Sequence, residues 1–326
     1  MRYIASLLIP AVAAASGWSL VAHLPAGCGH PVSMEVSQAG HVNLVLGEGT
    51  GGSGAVIMEL TAGSGGAVTV SEEPLPDSSE DAKIFVFGPN DTEGFFQRPC
   101  PEFICRLGPE GDTLWRAPLD TLEGDVDIRM VIPSEEGGCI AVLGPSAGND
   151  IWSIHRLGPS GGTSASATFR LQGGPVLGLC DMMETEEGGV LLTGVTDSLG
   201  MNLYMFLTGF DSLLSDSFMK LEDIRFHASG KLLEPDGDGA AYVAGYTGFE
   251  RDDGYFMPPV DRDVFLMKID YGGNEHWRTI LDLPLENVPV LMETMGEGGV
   301  LVLVRSFEAD GSPQVGPEYS LYLYSP

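Results

Sequence analysis

The sequence has little positive charge: 16 Lys and Arg stand against 46 Asp and Glu in 326 residues, for a formal net charge of −30. A surface this negative repels phosphate backbones and anionic headgroups, which argues against nucleic acid as a partner and against direct membrane binding. It favours cations and basic surfaces instead. The same charge also keeps a glycine-rich protein soluble, so it identifies no partner by itself.

Short catalytic motifs are absent as well. The chain has no G-x-S-x-G, no H-E-x-x-H and no G-x-x-x-x-G-K-[ST] segment. Its six histidines share no metal-ligand spacing. The sequence therefore predicts no catalytic residue and no cofactor other than a calcium ion, which is considered below.

Cysteine is scarce, with five in the chain. Apart from Cys28, the four others form an even set that is compatible with disulfides outside the cytoplasm. Cys100 and Cys105 bracket the short segment PEFI and are a candidate disulfide. No second cysteine pair or nearby histidine accompanies them, so a zinc site is not expected, and buried free thiols are the alternative.

Long hydrophobic runs are also missing. The apolar run from Tyr3 to Ala15 follows Arg2 and is too short for a bilayer of roughly 30 Å, which is typical of a signal peptide. Residues 1–27 are therefore predicted to be a signal peptide, and residues 28–326 a single domain.

The segment LPAGC, Leu24 to Cys28, resembles the bacterial lipobox, in which a leucine, two small residues and a cysteine mark cleavage and lipidation. The resemblance makes Cys28 a candidate lipidation site, although Pro25 stands where that family has leucine. Cleavage near AVAAAS, residues 11–16, is the alternative. Both interpretations predict an exported protein that is secreted, periplasmic or lipid-anchored at the cell envelope.

What the chain has in abundance is turn material, with 45 glycines and 22 prolines, arranged in a repeat. A strand that ends in or near glycine recurs at intervals of about 41 to 59 residues. An alternating strand follows each copy, then a glycine turn and another strand. The copies are VNLVLG, KIFVFG, CIAVLG, VLLTG, AYVAG and VLVLV.

A period near 50 residues with several strands is typical of one blade of a β-propeller. Six copies predict an all-β, six-bladed propeller, with five full blades and a thin one, or seven blades, as alternatives. Residues Val32–Gly47 align without gaps to Val290–Arg305, and the last repeat is one strand short. The alignment predicts closure between N-terminal and C-terminal strands.

The segment DVFLMKIDYGGNEHWRTIL, Asp263 to Leu281, resembles the repeat of exported bacterial β-propeller proteins. The resemblance implies a fold and not an activity, because its residues serve turns and packing. Trp277 and Trp115 follow such glycine turns, and we expect each to pack between neighbouring blades.

One loop offers hard oxygen ligands. Asp236 and Asp238 flank Gly237 in EPDGDG and are a candidate calcium site. The alternative is a turn between strands in which Asp and Gly supply local hydrogen bonds and permissive dihedral angles.

These observations predict an exported, non-enzymatic β-propeller that binds a protein, a glycan or a cell-surface polymer through its loops. The acidic and aromatic insertion Gly248–Asp263 is a candidate contact loop. The alternative function is that of a hydrolase or lyase whose site is assembled across blades at the central channel.

Overall fold

The structure is a computed structural model that describes residues 17–24, 31–36, 42–46, 56–62, 68–74, 84–85, 95–100, 103–107, 113–118, 126–145, 151–170, 176–198, 202–222, 224, 227–248, 262–295, 298–307 and 318–326. The chain divides into two compact units. The first contains residues 1–77, 223–270 and 275–326, and the second contains residues 78–222 and 271–274. No helix among the described residues is long and apolar enough to cross a membrane.

The first unit contains one four-stranded antiparallel sheet, in the order β2-β3-β4-β5, and one larger sheet. The larger sheet consists of two four-stranded groups, β18 to β21 and β22-β23-β24-β1, and the strand pairing that joins them among the described residues is the parallel pair Arg262 and Glu286. The strands are β1 (Gly17–Leu24), β2 (Pro31–Val36), β3 (Val42–Leu46), β4 (Val56–Ala62), β5 (Val68–Pro74), β18 (Ala228–Pro235), β19 (Ala240–Gly248), β20 (Arg262–Asp270), β21 (Glu275–Leu281), β22 (Glu286–Thr294), β23 (Val300–Phe307) and β24 (Glu318–Ser325).

The second unit contains three four-stranded antiparallel sheets, each made of strands that are consecutive in the chain. Their strands are β6 (Ile84–Phe85), β7 (Phe95–Cys100), β8 (Phe103–Leu107) and β9 (Thr113–Pro118); β10 (Val126–Pro133), β11 (Cys139–Pro145), β12 (Trp152–Leu157) and β13 (Thr163–Phe169); and β14 (Val176–Glu184), β15 (Val190–Ser198), β16 (Asn202–Phe210) and β17 (Asp216–Glu222). The prediction of an all-β protein made of many small antiparallel sheets is confirmed.

The second strand of the β10–β13 sheet, β11, lies between two cores, which explains its continuous apolar sequence. In β11, Ile140 and Val142 belong to a core shared with the β14–β17 sheet. The alternate residues Cys139, Ala141 and Leu143 belong to a core shared with the β6–β9 sheet. Because successive side chains of a strand point to opposite faces, a strand buried on both faces has no polar positions.

The first strand of five of the six groups carries a β-bulge, and the repeat read from the sequence does not include these five strands. The pairing shifts by one residue between Ile128 and Met130 in β10, and equivalent shifts occur in β2, β14, β18 and β22. A bulge breaks the two-residue period, so alternation alone does not detect such a strand.

A further type of glycine turn lies between the first and second strands of a group. At the β10–β11 turn, the amide of Ser134 donates to the carbonyl of Gly138 over 2.9 Å. Gly137 has a φ of +83°, a region that residues with a side chain rarely adopt. The same bond and the same positive φ recur at Thr185 and Gly188 in the β14–β15 turn.

The two tryptophans of the repeat pack between neighbouring strand groups, as predicted. A Cβ atom on Gly161, in the β12–β13 turn, would lie 2.8 Å from the Trp115 ring, so this ring covers a turn of the next sheet. In the first unit, the ring of Trp277 on β21 lies 4.9 Å from the ring of Tyr324 on β24, between centroids. Large aromatic surfaces thus join one group of strands to the next.

Strand β1 lies inside the segment for which the sequence predicts a signal peptide. It pairs with β24 in antiparallel register from Gly17 opposite Ser325 to Leu24 opposite Tyr319. This is a pairing between N-terminal and C-terminal strands. It also supplies the fourth strand that the last repeat lacks in the sequence.

Candidate functional site

The candidate calcium ligand Asp236 lies in the turn between β18 and β19. Its Oδ1 accepts hydrogen bonds from the amides of Asp238 over 2.9 Å and Ala240 over 3.1 Å. Its other oxygen forms an ion pair with Lys268, and only 3% of the Asp236 side chain is exposed. Both oxygens are therefore engaged by groups of the protein.

Burial disfavours the charged form of Asp236, but the bonds from Lys268 and from the two amides outweigh it. The pKa of this carboxyl consequently lies below its ordinary value. The hydrogen bond to Asp236 raises the pKa of Lys268 despite its partial burial. These contacts fit a turn stabilised by local hydrogen bonds.

Asp238 is exposed, and Gly237 and Gly239 have φ values of +79°. Among the described residues, no group of three or more His, Cys, Asp or Glu side chains is arranged to hold a metal ion. The calcium site at Asp236 and Asp238 stays a prediction.

The cysteine predictions fall largely outside what the structure describes. Cys28 and the side chain of Cys100 lie outside the described residues, whereas Cys105 is buried on β8. Lipidation of Cys28 and a Cys100–Cys105 disulfide stay predictions. Cys139 is a free thiol with no exposed surface, and burial raises its pKa to about 12 despite the opposing effect of Arg106.

A different group of side chains meets at one end of the paired strand groups of the first unit. We call Lys231, Tyr246, Arg262 and Glu286 the Tyr246 cluster. The Lys231 ammonium lies 5.4 Å from the centroid of the Tyr246 ring, and the Arg262 guanidinium carbon lies 4.8 Å from it. One aromatic ring thus carries two cations, a favourable arrangement for each cation with the ring.

The Tyr246 cluster contains one carboxylate. Glu286 Oε2 lies 3.5 Å from a guanidinium nitrogen of Arg262, and the two side chains are 10% and 23% exposed. The Nε of Arg262 is buried and has no hydrogen-bond partner within the part of the chain that the structure describes. The cluster therefore combines two cations with one carboxylate, and the buried donor belongs to one of the cations, Arg262.

Four strands position the Tyr246 cluster. Lys231 is the extra residue of the β18 bulge, which turns its side chain away from the regular alternation. Tyr246 lies near the end of β19, whereas Arg262 and Glu286 are the first residues of β20 and β22. The predicted contact loop falls mostly on residues 249–261, between β19 and β20, which lie outside the described residues, so that loop stays a prediction.

A buried asparagine holds the chain next to Glu286. Asn287 is fully buried, and its Nδ2 donates to the carbonyls of Leu283 over 3.2 Å and Leu285 over 2.7 Å. Its Oδ1 accepts a hydrogen bond from Ser306 over 2.7 Å. These bonds hold the chain that leads into β22 and restrict where Glu286 can lie.

The second unit has a charged group of another kind, the Arg156 network, made of Arg156, Glu184, Ser134 and Gly188. Arg156 on β12 forms an ion pair with Glu184 on β14, and both side chains are only 7% exposed. Arg156 also donates to Ser134 Oγ and to the Gly188 carbonyl, while Glu184 accepts from the amide of Glu135 over 2.9 Å. The charged side chains of this network bind each other and nearby backbone groups, and they join the β10–β13 sheet to the β14–β17 sheet.

Comparison with solved structures shows the fold. A protein of unknown function from Dyadobacter fermentans matches at a TM-score of 0.54 and 12% identity, over 95% of this chain and 100% of that one. A member of the DUF4221 family from Bacteroides vulgatus matches at a TM-score of 0.50 and 10% identity, over 95% and 99%. The structural neighbours are β-propeller proteins, so the propeller architecture is supported.

No protein-family model matches the chain, and no curated protein matches it significantly. The structural likeness extends to the fold alone at these identities. Conclusions about activity therefore depend on the side chains of this protein.

Sequence reasoning missed the Tyr246 cluster because its members are scattered between residues 231 and 286 and belong to no motif. One signal was present: Arg262 is one of two basic residues within the acidic insertion Gly248–Asp263, in a chain that has few basic residues. The structure places the two predicted ligands, Asp236 and Asp238, in one turn, and it places Asp236 beside Lys268.

Proposed function

We propose that the protein is an exported six-bladed β-propeller that acts as a binding protein rather than an enzyme. Each of the six strand groups among the described residues would form one blade, and the pairing of β1 with β24 would close the ring. The all-β architecture and the propeller neighbours support this arrangement.

The single observation that carries the binding function is the Tyr246 cluster. Lys231 and Arg262 both lie against one ring in a chain that is acidic overall, and Glu286 pairs with Arg262 in the same cluster. Two cations placed on one ring suit a ligand that presents one anionic group. The ligand that we propose is a glycan residue that carries a single carboxylate.

Charge favours an acidic sugar over an acidic peptide as the ligand. The net charge of −30 repels any ligand with many negative charges. Glu286 can accept hydrogen bonds from sugar hydroxyls, but it repels a second carboxylate. A sugar with one carboxylate among neutral hydroxyls satisfies both conditions.

The test is calorimetric titration of the full-length protein with a disaccharide of glucuronic acid and glucose, compared with a disaccharide of glucose alone. Binding of the acidic sugar only, weakened about tenfold or more by Arg262→Gln, would support the proposal. Arg278→Gln is the matched control because Arg278 forms an exposed pair with Glu275, away from the cluster.

Three outcomes would contradict the proposal. Absence of binding, or equal binding by the Arg262→Gln variant, would remove the Tyr246 cluster as the site. Preferential binding of a glutamate-rich peptide would indicate a protein partner. Cleavage of the disaccharide during titration would favour the hydrolase or lyase alternative.

A further inference from the structure

We propose that the exported chain is cut on the N-terminal side of Gly17, so that strand β1 remains in the mature protein. Under this proposal Cys28 is neither the first residue of the mature chain nor a lipidation site. The inference concerns processing and does not depend on the ligand of the Tyr246 cluster.

The first argument is the extent of the pairing between β1 and β24. Seven residue pairs are in antiparallel register from Gly17 to Leu24, with one shift between Leu20 and Ala22. Pairing of this length engages the backbone of nearly the whole of β1. If residues 1–27 were removed during export, the pairing of β1 with β24 would be lost completely.

The second argument is the condition of β24 without β1. On its other side β24 pairs with β23, from Val300 opposite Tyr324 to Ser306 opposite Glu318. Three of its hydrophobic side chains, Tyr319, Leu321 and Leu323, are buried. Loss of β1 would leave β24, a strand with several buried side chains, at the edge of the sheet. Its backbone donors and acceptors on that side would be unpaired, and such an edge promotes aggregation.

The third argument is the number of strands in each group. The groups β2 to β5, β6 to β9, β10 to β13, β14 to β17 and β18 to β21 all have four strands. The group β22-β23-β24 reaches four only with β1. Cleavage before Cys28 would leave it one strand short, whereas cleavage before Gly17 would keep the repeat complete.

The sequence before β1 suits this cleavage position. The apolar run from Tyr3 to Ala15 ends in the small residues AVAAAS, and Gly17 follows directly. Alanines at alternate positions, such as Ala13 and Ala15, are typical of a signal-peptide cleavage site. Cleavage there needs no residue of β1.

The decisive experiment is to express the full-length gene product in a bacterial host and to determine the N-terminal sequence and intact mass of the exported protein. We expect a first residue between positions 12 and 17 and no lipid. A mature chain that begins at Cys28 with an added diacylglycerol mass would overturn the proposal. So would an uncleaved chain, or cleavage anywhere between residues 18 and 27.

Two variants separate the alternatives in the same experiment. Cys28→Ser should leave the mature mass unchanged apart from the substitution. A protein processed as a lipoprotein would instead be neither lipidated nor cleaved before residue 28 in this variant. Replacing Ala13 and Ala15 together by Leu should block processing or move it. Unchanged cleavage in this double variant would count against the proposed position.

Hydrogen exchange of the purified mature protein tests the structural premise. We expect the amides of β1 that face β24 to exchange at least about tenfold more slowly than unstructured amides. If residues 17–24 are present in the mature chain but exchange like an unstructured segment, pairing with β24 is not the reason that they are kept.

Discussion

Arg156 in the second unit and Lys268 in the first occupy equivalent positions, each on the third strand of its sheet. Arg156 precedes Leu157, which pairs with Cys139, and Lys268 precedes Ile269, which pairs with Ala241. Arg156 reaches the next sheet through Glu184 and Gly188. Lys268 instead turns to Asp236 within its own sheet.

The difference follows from the acidic partner that the repeat offers. The position equivalent to Glu184 in the group that follows Lys268 is Thr294, which carries no charge; the two residues pair with Val190 and Val300. The position equivalent to Asp236 in the sheet of Arg156 is Ser134. Two repeat positions thus differ together: one holds the acidic partner in the next sheet, and the other holds it in the turn of the same sheet.

The hydrogen bond to the next glycine turn is kept in both units, although its donor changes. Arg156 donates to the Gly188 carbonyl, and Tyr242 donates to the equivalent Gly298 carbonyl over 3.2 Å. Joining neighbouring groups of strands therefore does not require an ion pair. It requires a donor that reaches the turn.

Among the substitutions that test this comparison, Arg156→Ala should have the largest effect on the free energy of unfolding. The substitution leaves the Glu184 carboxylate, which is 7% exposed, without its cation, and we expect a loss of about 3–5 kcal/mol in the free energy of unfolding. Urea unfolding measures it. The double variant Arg156→Met, Glu184→Leu should recover most of the loss, because it removes both charges. A loss below about 1 kcal/mol in the single variant would show that the network is not buried in solution.

The next effect distinguishes the packed turn of the second unit from the open turn of the first. Gly161→Ala forces a Cβ within 2.8 Å of the Trp115 ring at a φ of +81°, whereas Gly237→Ala has the same backbone cost with nothing within 4 Å. We expect losses of about 2–4 and about 1–2 kcal/mol. Thermal unfolding compares the two variants. Equal losses would mean that Trp115 does not cover Gly161.

Asp236→Asn should destabilise the β18–β19 turn of the first unit. We expect a smaller loss in the free energy of unfolding, about 1–2 kcal/mol at neutral pH, because the hydrogen bonds to a charged acceptor are weakened. The pKa of Asp236 is lowered in the folded protein, so its contribution is present above the ordinary pKa of 3.8 and is lost as the pH falls through the lower folded value. Lys268 has a raised pKa, so its contribution is complete below 10.5 and is lost at higher pH.

Urea titrations at several pH values measure this dependence. The difference between wild type and Asp236→Asn should be constant at neutral pH and should shrink below about pH 4. A difference that grows under acid would contradict the lowered pKa. Glu275→Gln, in an exposed pair with Arg278, should cost at most about 1 kcal/mol and serves as the control.

The smallest effect is expected at Cys139, whose equivalent in the first unit is Ala241, also fully buried. Cys139→Ala should cost about 1 kcal/mol. Because the thiol is buried and its pKa is raised to about 12, native protein should not be alkylated by iodoacetamide at this residue at pH 8. Mass spectrometry of peptides checks this, and rapid labelling without denaturant would contradict it.

Local patterns in the sequence predicted much of the fold. The second, third and fourth strands of the repeat follow from alternation and glycine turns, and the contacts of Trp115 and Trp277 follow from their place after such turns. The first strands of five of the six groups do not follow from alternation, because each of these five carries a bulge. The sequence does not predict strand β1, because its residues continue the predicted signal peptide.

By itself, the sequence determined the all-β class and the strand repeat, because these depend on neighbours in the chain and on the two-residue period of a strand. The tertiary structure alone decided the partner of each charged side chain, since Arg156 and Glu184, or Lys231 and Arg262, meet only when separate strands come together. The same reason applies to β1: a strand is recognised through its hydrogen-bonded partner, and that partner lies about 300 residues away at the other end of the chain.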